Sequence, residues 1–323
     1  MKIVINLLIF CVVLFLYLHI YFHLKTSNDL EMYEIEQPSK EKLEEICDLR
    51  QPVLFDYNNE KIINVFKQTN ILDTYGAFDI KIRNVKETDY DTEIYLPVVF
   101  NNAINVLKND KEEKYISENN SDFIEETTLL KNFSYNDEFL RPHMVANCEY
   151  DFMMASLGSV TPFRYEINYR NYFLVTEGKA TIRLTPYKSS KYLYTNNDYE
   201  NLEFISKINP WNVSAQYKAD FDKIKCLDIE ILPGRMLYIP AYWYYSIKFE
   251  KETSICVFRY RTYMNVLAIS PQLLLHILQN QNIKRQVAKH IEKKVPDNDI
   301  DNIDNIDNID NIDNIDNKNV NKK

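Results

Sequence analysis

The hydrophobic pattern begins with one long run. Residues Ile3 to Leu24 are apolar except for Asn6, His19 and His23. At about 1.5 Å rise per residue, a helix of this length reaches across the hydrocarbon core of a bilayer. Lys2 and Lys25 bracket the run, and Tyr17, Tyr21 and Phe22 lie near one end, where amphipathic rings favour the interface. A cleavable signal peptide has a shorter apolar region, about 7–15 residues, followed by small residues. Here the run ends His-Leu-Lys-Thr-Ser. Residues 1–25 are therefore expected to form an uncleaved single-pass membrane anchor, with His19 and His23 as interfacial side chains. The flanking lysines nearly balance, so orientation is weakly determined. The short N-terminal stub slightly favours the bulk of the chain lying outside the cytosol or in a lumen.

The pattern then shortens. Residues 26–36 are polar and acidic and read as a stalk. Lys40 to Cys47 places Leu43 and Ile46 on one helical face, with Ser39 as its cap. Pro52 to Phe55 reads as a short strand, and Glu60 to Gln68 as a helix. Phe78 to Ile82 alternates apolar and polar, as a half-buried strand does. Lys108 to Glu126 is highly charged and reads as an exposed helix or a loop insertion. From Tyr150 to Tyr263 the signal is β. Glu177-Gly178 and Pro233-Gly234 each separate two apolar runs, and both read as hairpin turns. Ser270-Pro271 opens a last helix, expected over 269–295. Its stripe of Leu274, Ile277, Leu278, Ile283, Val287 and Ile291 is expected to pack on the barrel or on a partner subunit. His276 and His290 on this helix read as surface or packing residues. The tail, 296–323, repeats Ile-Asp-Asn from Ile300 through Asn317. It has no core-forming pattern and reads as disordered.

Composition and charge narrow the function classes. Tyr (24) and Phe (17) are abundant and favour strands, although an AT-rich genome produces the same bias. Net charge is -9, five negative charges of which lie in the tail, and there is no basic stripe. Nucleic-acid binding through phosphate contacts has little electrostatic support. The five Cys lack zinc or Cys-x-x-Cys spacing. Sequons at Asn119, Asn132 and Asn212 permit N-glycosylation if the domain is lumenal or extracellular.

Gly158-Ser-Val-Thr161-Pro162-Phe-Arg164-Tyr-Glu166 resembles the Gly-x-x-Thr-Pro-x-His-x-Asp stretch of the cupin-like, JmjC-related family that includes the asparaginyl hydroxylase of hypoxia-inducible factor. Arg50-Gln-Pro-Val-Leu54, Asn171-Tyr-Phe173 with Gly178, Leu184-Thr-Pro186, and Leu232-Pro-Gly-Arg-Met-Leu-Tyr-Ile-Pro-Ala-Tyr-Trp243 continue the likeness in order. The resemblance implies a mainly β fold: a double-stranded β-helix (jelly-roll) barrel over 37–268 with flanking N- and C-terminal helices. It also implies a homodimer through residues 270–294, as in several relatives.

The resemblance further implies Fe(II) held by His-x-Asp and a later His, with 2-oxoglutarate as co-substrate. Those positions here are Arg164, Glu166 and Tyr245. Guanidinium has no lone pair to give a metal. Outside the leader and the last helix the one histidine is His143, about twenty residues before the motif. The lysine that holds 2-oxoglutarate in relatives is Ala180 here, and neighbouring Lys179 points away unless a bulge intervenes. The expected site is therefore a degenerate one without cofactor. Arg164 pairs with Glu166 in it or receives an anionic ligand, Tyr245 donates a hydrogen bond, and Thr161, Asn171, Lys179 and Trp243 line a pocket. Thr161 has a purely structural alternative, closing the turn before Pro162. The expected protein is a non-catalytic binding module with a protein or small-anion partner. The alternatives are an Fe(II)/2-oxoglutarate oxygenase with an unusual site, and acid–base chemistry by Glu166 and Tyr245.

Overall fold

The computed structural model describes residues 2–86, 95–250 and 252–285, with side chains described to residue 281. The expectations for Val287, His290, Ile291 and the tail lie outside the described residues, and that for Ile283 outside the described side chains.

Helix α1 (Lys2–Leu24) leads to strand β1 (Tyr33–Ile35), α2 (Lys40–Cys47) and β2 (Val53–Asp56). There follow α3 (Glu60–Val65), α4 (Gln68–Tyr75), β3 (Asp79–Asn84), β4 (Leu96–Val99), α5 (Phe100–Asn109), β5 (Tyr115–Ser117), α6 (Ser121–Glu126) and α7 (Leu129–Asn136). The barrel strands are β6 (Val145–Ala155), β7 (Arg164–Tyr165), β8 (Arg170–Glu177), β9 (Ala180–Thr185), β10 (Thr195–Asp198) and β11 (Glu203–Ser206). After α8 (Ala215–Phe221) come β12 (Leu227–Ile231), β13 (Arg235–Pro240), β14 (Tyr244–Phe249) and β15 (Ser254–Thr262). Helices α9 (Tyr263–Ala268) and α10 (Ser270–Arg285) complete the described chain.

The strands form two sheets, ordered β1-β2-β13-β8-β15-β6-β5-β3-β4 and β10-β11-β7-β14-β9-β12. Within them β6-β15-β8-β13 faces β7-β14-β9-β12, and the chain changes face at every step between these eight strands except from β9 to β12, in the order of a jelly roll. Strand alternation explains how one sheet buries both sides. Phe173 and Val175, Leu237 and Ile239, and Ile255 and Val257 pack inside the barrel. Their neighbours Tyr172, Leu174, Met236, Tyr238, Cys256 and Phe258 pack outward with Phe66, Phe100 and Phe133 of the helical layer.

Three expectations change. The two glycine turns are not hairpins: β8 and β9 lie in different sheets, as do β12 and β13. Each turn carries the chain across the barrel, and the left-handed φ of Gly178 (+74°) and Gly234 (+85°) serves that corner instead. The stretch 26–36 is not a free stalk. Its residues 33–35 pair in parallel with β2, and Leu30 and Met32 pack against the barrel core, because their spacing by two puts them on one face. The charged stretch 108–126 contains β5, and Ile116, Ser117, Glu118 and Asn120 are buried.

A Cβ at Gly178 would sit 2.8 Å from both the Glu252 carbonyl oxygen and Thr253 Cα, which are backbone atoms that do not move aside. Gly178→Ala is expected to cost at least ~1–2 kcal/mol. An unchanged urea midpoint for this variant would show that the corner tolerates a side chain.

Candidate functional site

Alternation also decides which polar residues enter the barrel. Met153, Phe173, Ile247 and Val257 belong to the interior core. Residues two apart on a strand share a face, so Asp151 and Glu149 on β6, Asn171 on β8, Tyr245 on β14 and Arg259 on β15 turn the same way. Arg164 on β7 stands directly opposite Tyr245 in the register. One end of the barrel interior is thus a charged layer next to the apolar core.

Arg164 is buried and forms a fork with Glu118: Nη1 donates to Oε1 at 3.0 Å, and Nη2 donates to Oε2. The expected Arg164–Glu166 pair does not form. Glu118 reaches in from the segment after β5, which Asp151 fastens by accepting the backbone N–H groups of Asn119 (2.9 Å) and Asn120 (2.8 Å). Arg83 Nη1 joins the cluster, 3.3 Å from Glu118 Oε1 and 3.1 Å from Glu203 Oε2. The Tyr95 hydroxyl donates to Glu203 at 2.8 Å. Glu166 instead accepts from the Tyr245 hydroxyl at 2.9 Å and lies 3.7 Å from Arg259 Nε. Arg259 Nη1 is 3.4 Å from Glu149 and 3.7 Å from Asp151.

The electrostatics follow from these contacts. Burial alone would raise the Glu118 carboxyl, but Arg164, Arg83 and Arg259 hold it at about 2. Burial likewise opposes the charge on Arg164, yet Glu118 raises its guanidinium well above the usual range. Burial pushes the Tyr245 phenol up and Glu166 pushes it further, so it stays protonated and acts as a donor. Among the described residues, three guanidinium groups in this layer face five carboxyl groups. The Arg164 fork expected for an anion is occupied by Glu118.

The other expected residues separate. Thr161 accepts from the Ile247 N–H at 2.9 Å, and its carbonyl accepts from Ser246 at 2.6 Å, so it fastens the segment before β7 onto β14. Asn171 lies within the layer and donates to the Ile239 carbonyl at 3.2 Å. Trp243 is fully buried in the interior core and lines no open pocket. Lys179 points outward, 3.0 Å from Glu230 and 3.4 Å from Glu250, while Ala180 faces the interior. Lys179→Ala is therefore expected to leave the urea midpoint unchanged, because an exposed ion pair contributes little. A clear fall in the midpoint would place the side chain inside.

A cavity of about 500 Å³ lies beside this layer, with Arg83, Thr161, Glu203, Trp211, Asn212 and Lys248 in its lining. None of Arg164, Glu166, Asn171 or Tyr245 lines it. Of the sequon residues, Asn212 is exposed at its rim, whereas the Asn119 amide donates to Tyr95 at 2.7 Å and Asn132 is half-buried on α7.

Sequence reasoning missed Glu118, Arg83, Glu203, Asp151 and Arg259. Two of them carried a signal: Arg259 continues the alternation of Ile255 and Val257, and Asp151 that of Met153. A charge at a core parity marks a polar layer. Glu118 carried none, because it sits in a charged run.

The donor set does not suit the metal that the fold implies. Arg164 has no lone pair and is held by Glu118, and Tyr245 is fully buried, keeping its proton and donating it in a hydrogen bond to Glu166. Among the described residues, no three His, Cys, Asp or Glu side chains come together as metal ligands.

The chain belongs to the cupin-like domain family, whose pattern matches residues 26–262. It is also similar to HSPB1-associated protein 1 of Rattus norvegicus and of Bos taurus, at 27% identity over 96 residues, and to that of Mus musculus at 26%. Each match covers 29% of this chain and 20% of the relative, so the chain spans about a fifth of these relatives' length.

Proposed function

We propose that the protein is a membrane-anchored, non-catalytic cupin-like domain that acts by binding a partner. The observation that carries this reading is the fork between Arg164 and Glu118, which fills the position of the first metal ligand with an ion pair. A buried pair of this kind persists when its hydrogen bonds are satisfied, and it leaves no open coordination position. Helix α1 is long and apolar enough to span a bilayer. The name of the relatives, a protein associated with HSPB1, favours protein interaction as the mode of action.

The test uses the full chain in detergent, incubated anaerobically with ferrous iron and then supplied with 2-oxoglutarate and oxygen. Iron well below one per chain and no succinate are expected. One iron per chain with succinate formed would replace this reading with that of an oxygenase using an unusual site.

A further inference from the structure

We infer that helices α9 and α10 form a second membrane contact, lying on the same bilayer that α1 crosses. This inference rests on the anchoring proposed above, and it adds that the barrel is held flat on the lipid surface rather than hanging from a tether.

Helix α1 meets the domain through its C-terminal turns. Its shielded positions fall near its end: Leu16, His19 and Ile20 are half-buried and His23 is buried. Leu16, Ile20 and His23 share one helical face. His23 packs against Tyr169 with ring centroids 5.0 Å apart, and the Arg50 guanidinium lies between Phe22 (4.8 Å) and Tyr169 (4.6 Å). The last two turns of α1 are therefore docked on the barrel, and α9 packs beside α1.

Lengths then set the depth. A helix of 23 residues is about 34 Å long, and the hydrocarbon core takes about 30 Å. About 4 Å of α1 remains outside that core, yet the docked stretch from Leu16 to His23 covers about 10 Å. Helix α9 is thus brought to the level of the headgroups and the outer acyl chains.

The surfaces at that level suit it. Tyr263 and Leu267, four apart on α9, are 62% and 40% exposed. One residue later α10 begins. Its Leu273 packs on the cluster of Ile167, Phe204 and Tyr242, and His276 Nδ1 is 2.9 Å from the Tyr199 carbonyl. Leu274, Leu275, Ile277 and Leu278 remain 44–57% exposed. They do not pack on the barrel, which was one of the two partners expected from the sequence pattern. The apolar residues are also confined to the half of α10 next to α9, and from Gln279 to Arg285 the sequence is polar apart from Ile283. Apolar character that fades with distance from the spanning helix is the arrangement of an element leaving an interface.

The test places p-benzoylphenylalanine at Phe15, Leu278 or Leu157 in the full chain, reconstituted in phosphatidylcholine–phosphatidylserine vesicles. Leu157 is 57% exposed and lies beyond the far end of β6, an 11-residue strand about 35 Å long whose other end adjoins α9. Lipid adducts at Phe15 and Leu278 but not at Leu157 are expected. Adducts at Phe15 alone would overturn the second contact and leave the anchor standing. Adducts at none would remove both readings. Adducts at all three would show that the label does not discriminate surfaces, and the inference would fall. A protein–protein crosslink at Leu278 in place of lipid would assign this face to a second copy of the chain and overturn the inference.

Discussion

Glu118→Ala is expected to lower the free energy of unfolding by on the order of 3–5 kcal/mol, because it strands buried guanidinium charge. Among the described residues, Arg164 keeps one carboxylate partner, Glu203 at 3.9 Å, and Arg83 loses one of two. The charge, rather than the lost volume, carries the cost. Arg164→Met in the Glu118→Leu background should therefore recover at least ~1 kcal/mol relative to the sum of the two single substitutions. Denaturant titrations of the four proteins in one detergent measure this coupling. Strict additivity of the two single changes would mean that the fork contributes nothing as a pair. The functional reading would then lose its central observation.

The second large effect is a loss of stability in acid. The Glu118 carboxyl lies at about 2 in the folded protein, against 4.5 for the free group. A depressed carboxylate stabilises the fold above its unfolded value, and the stabilisation disappears as pH falls towards the folded value. The separation corresponds to about 3 kcal/mol in full, of which about 2 kcal/mol is gone by pH 3. Other carboxylates contribute to acid denaturation as well, so the informative quantity is a comparison. The stability difference between the native chain and Glu118→Gln should shrink by ~2 kcal/mol between pH 6 and pH 3. A difference that stays constant over this range would show that Glu118 titrates normally and is not held by its arginines.

These two effects rest on a residue that local pattern did not mark. The three positions at the centre of the resemblance were legible, and the hydroxyl of Tyr245 donates to Glu166. Arg164 and Tyr245 stand opposite each other on adjacent strands, although 81 positions apart in the chain. Their partners were harder to read. Glu166 was expected to neutralise Arg164 because they share a strand face, but Glu118 reaches the guanidinium from another part of the fold and takes both of its Nη groups. A short polar segment has no periodicity that separates a buried carboxylate from an exposed one. Only the neighbours brought in by folding distinguish them.

The same division runs through the whole protein. The apolar runs from Tyr150 onward, separated by glycine turns, were enough for the β class. The ordered motifs were enough for the family, and the run from Ile3 to Leu24 for a helix able to cross a bilayer, because each is a property of neighbouring residues. Which sheet a strand joins is not such a property. Gly178 and Gly234 look like hairpin glycines because a positive φ is needed both to close a hairpin and to turn a corner between sheets. The choice between them depends on β8, β13 and β15 finding one another across long separations. The polar layer has the same origin: burial of Arg164, Glu118 and Arg259 is tolerated only once all three are assembled, and assembly is a consequence of the barrel's closure.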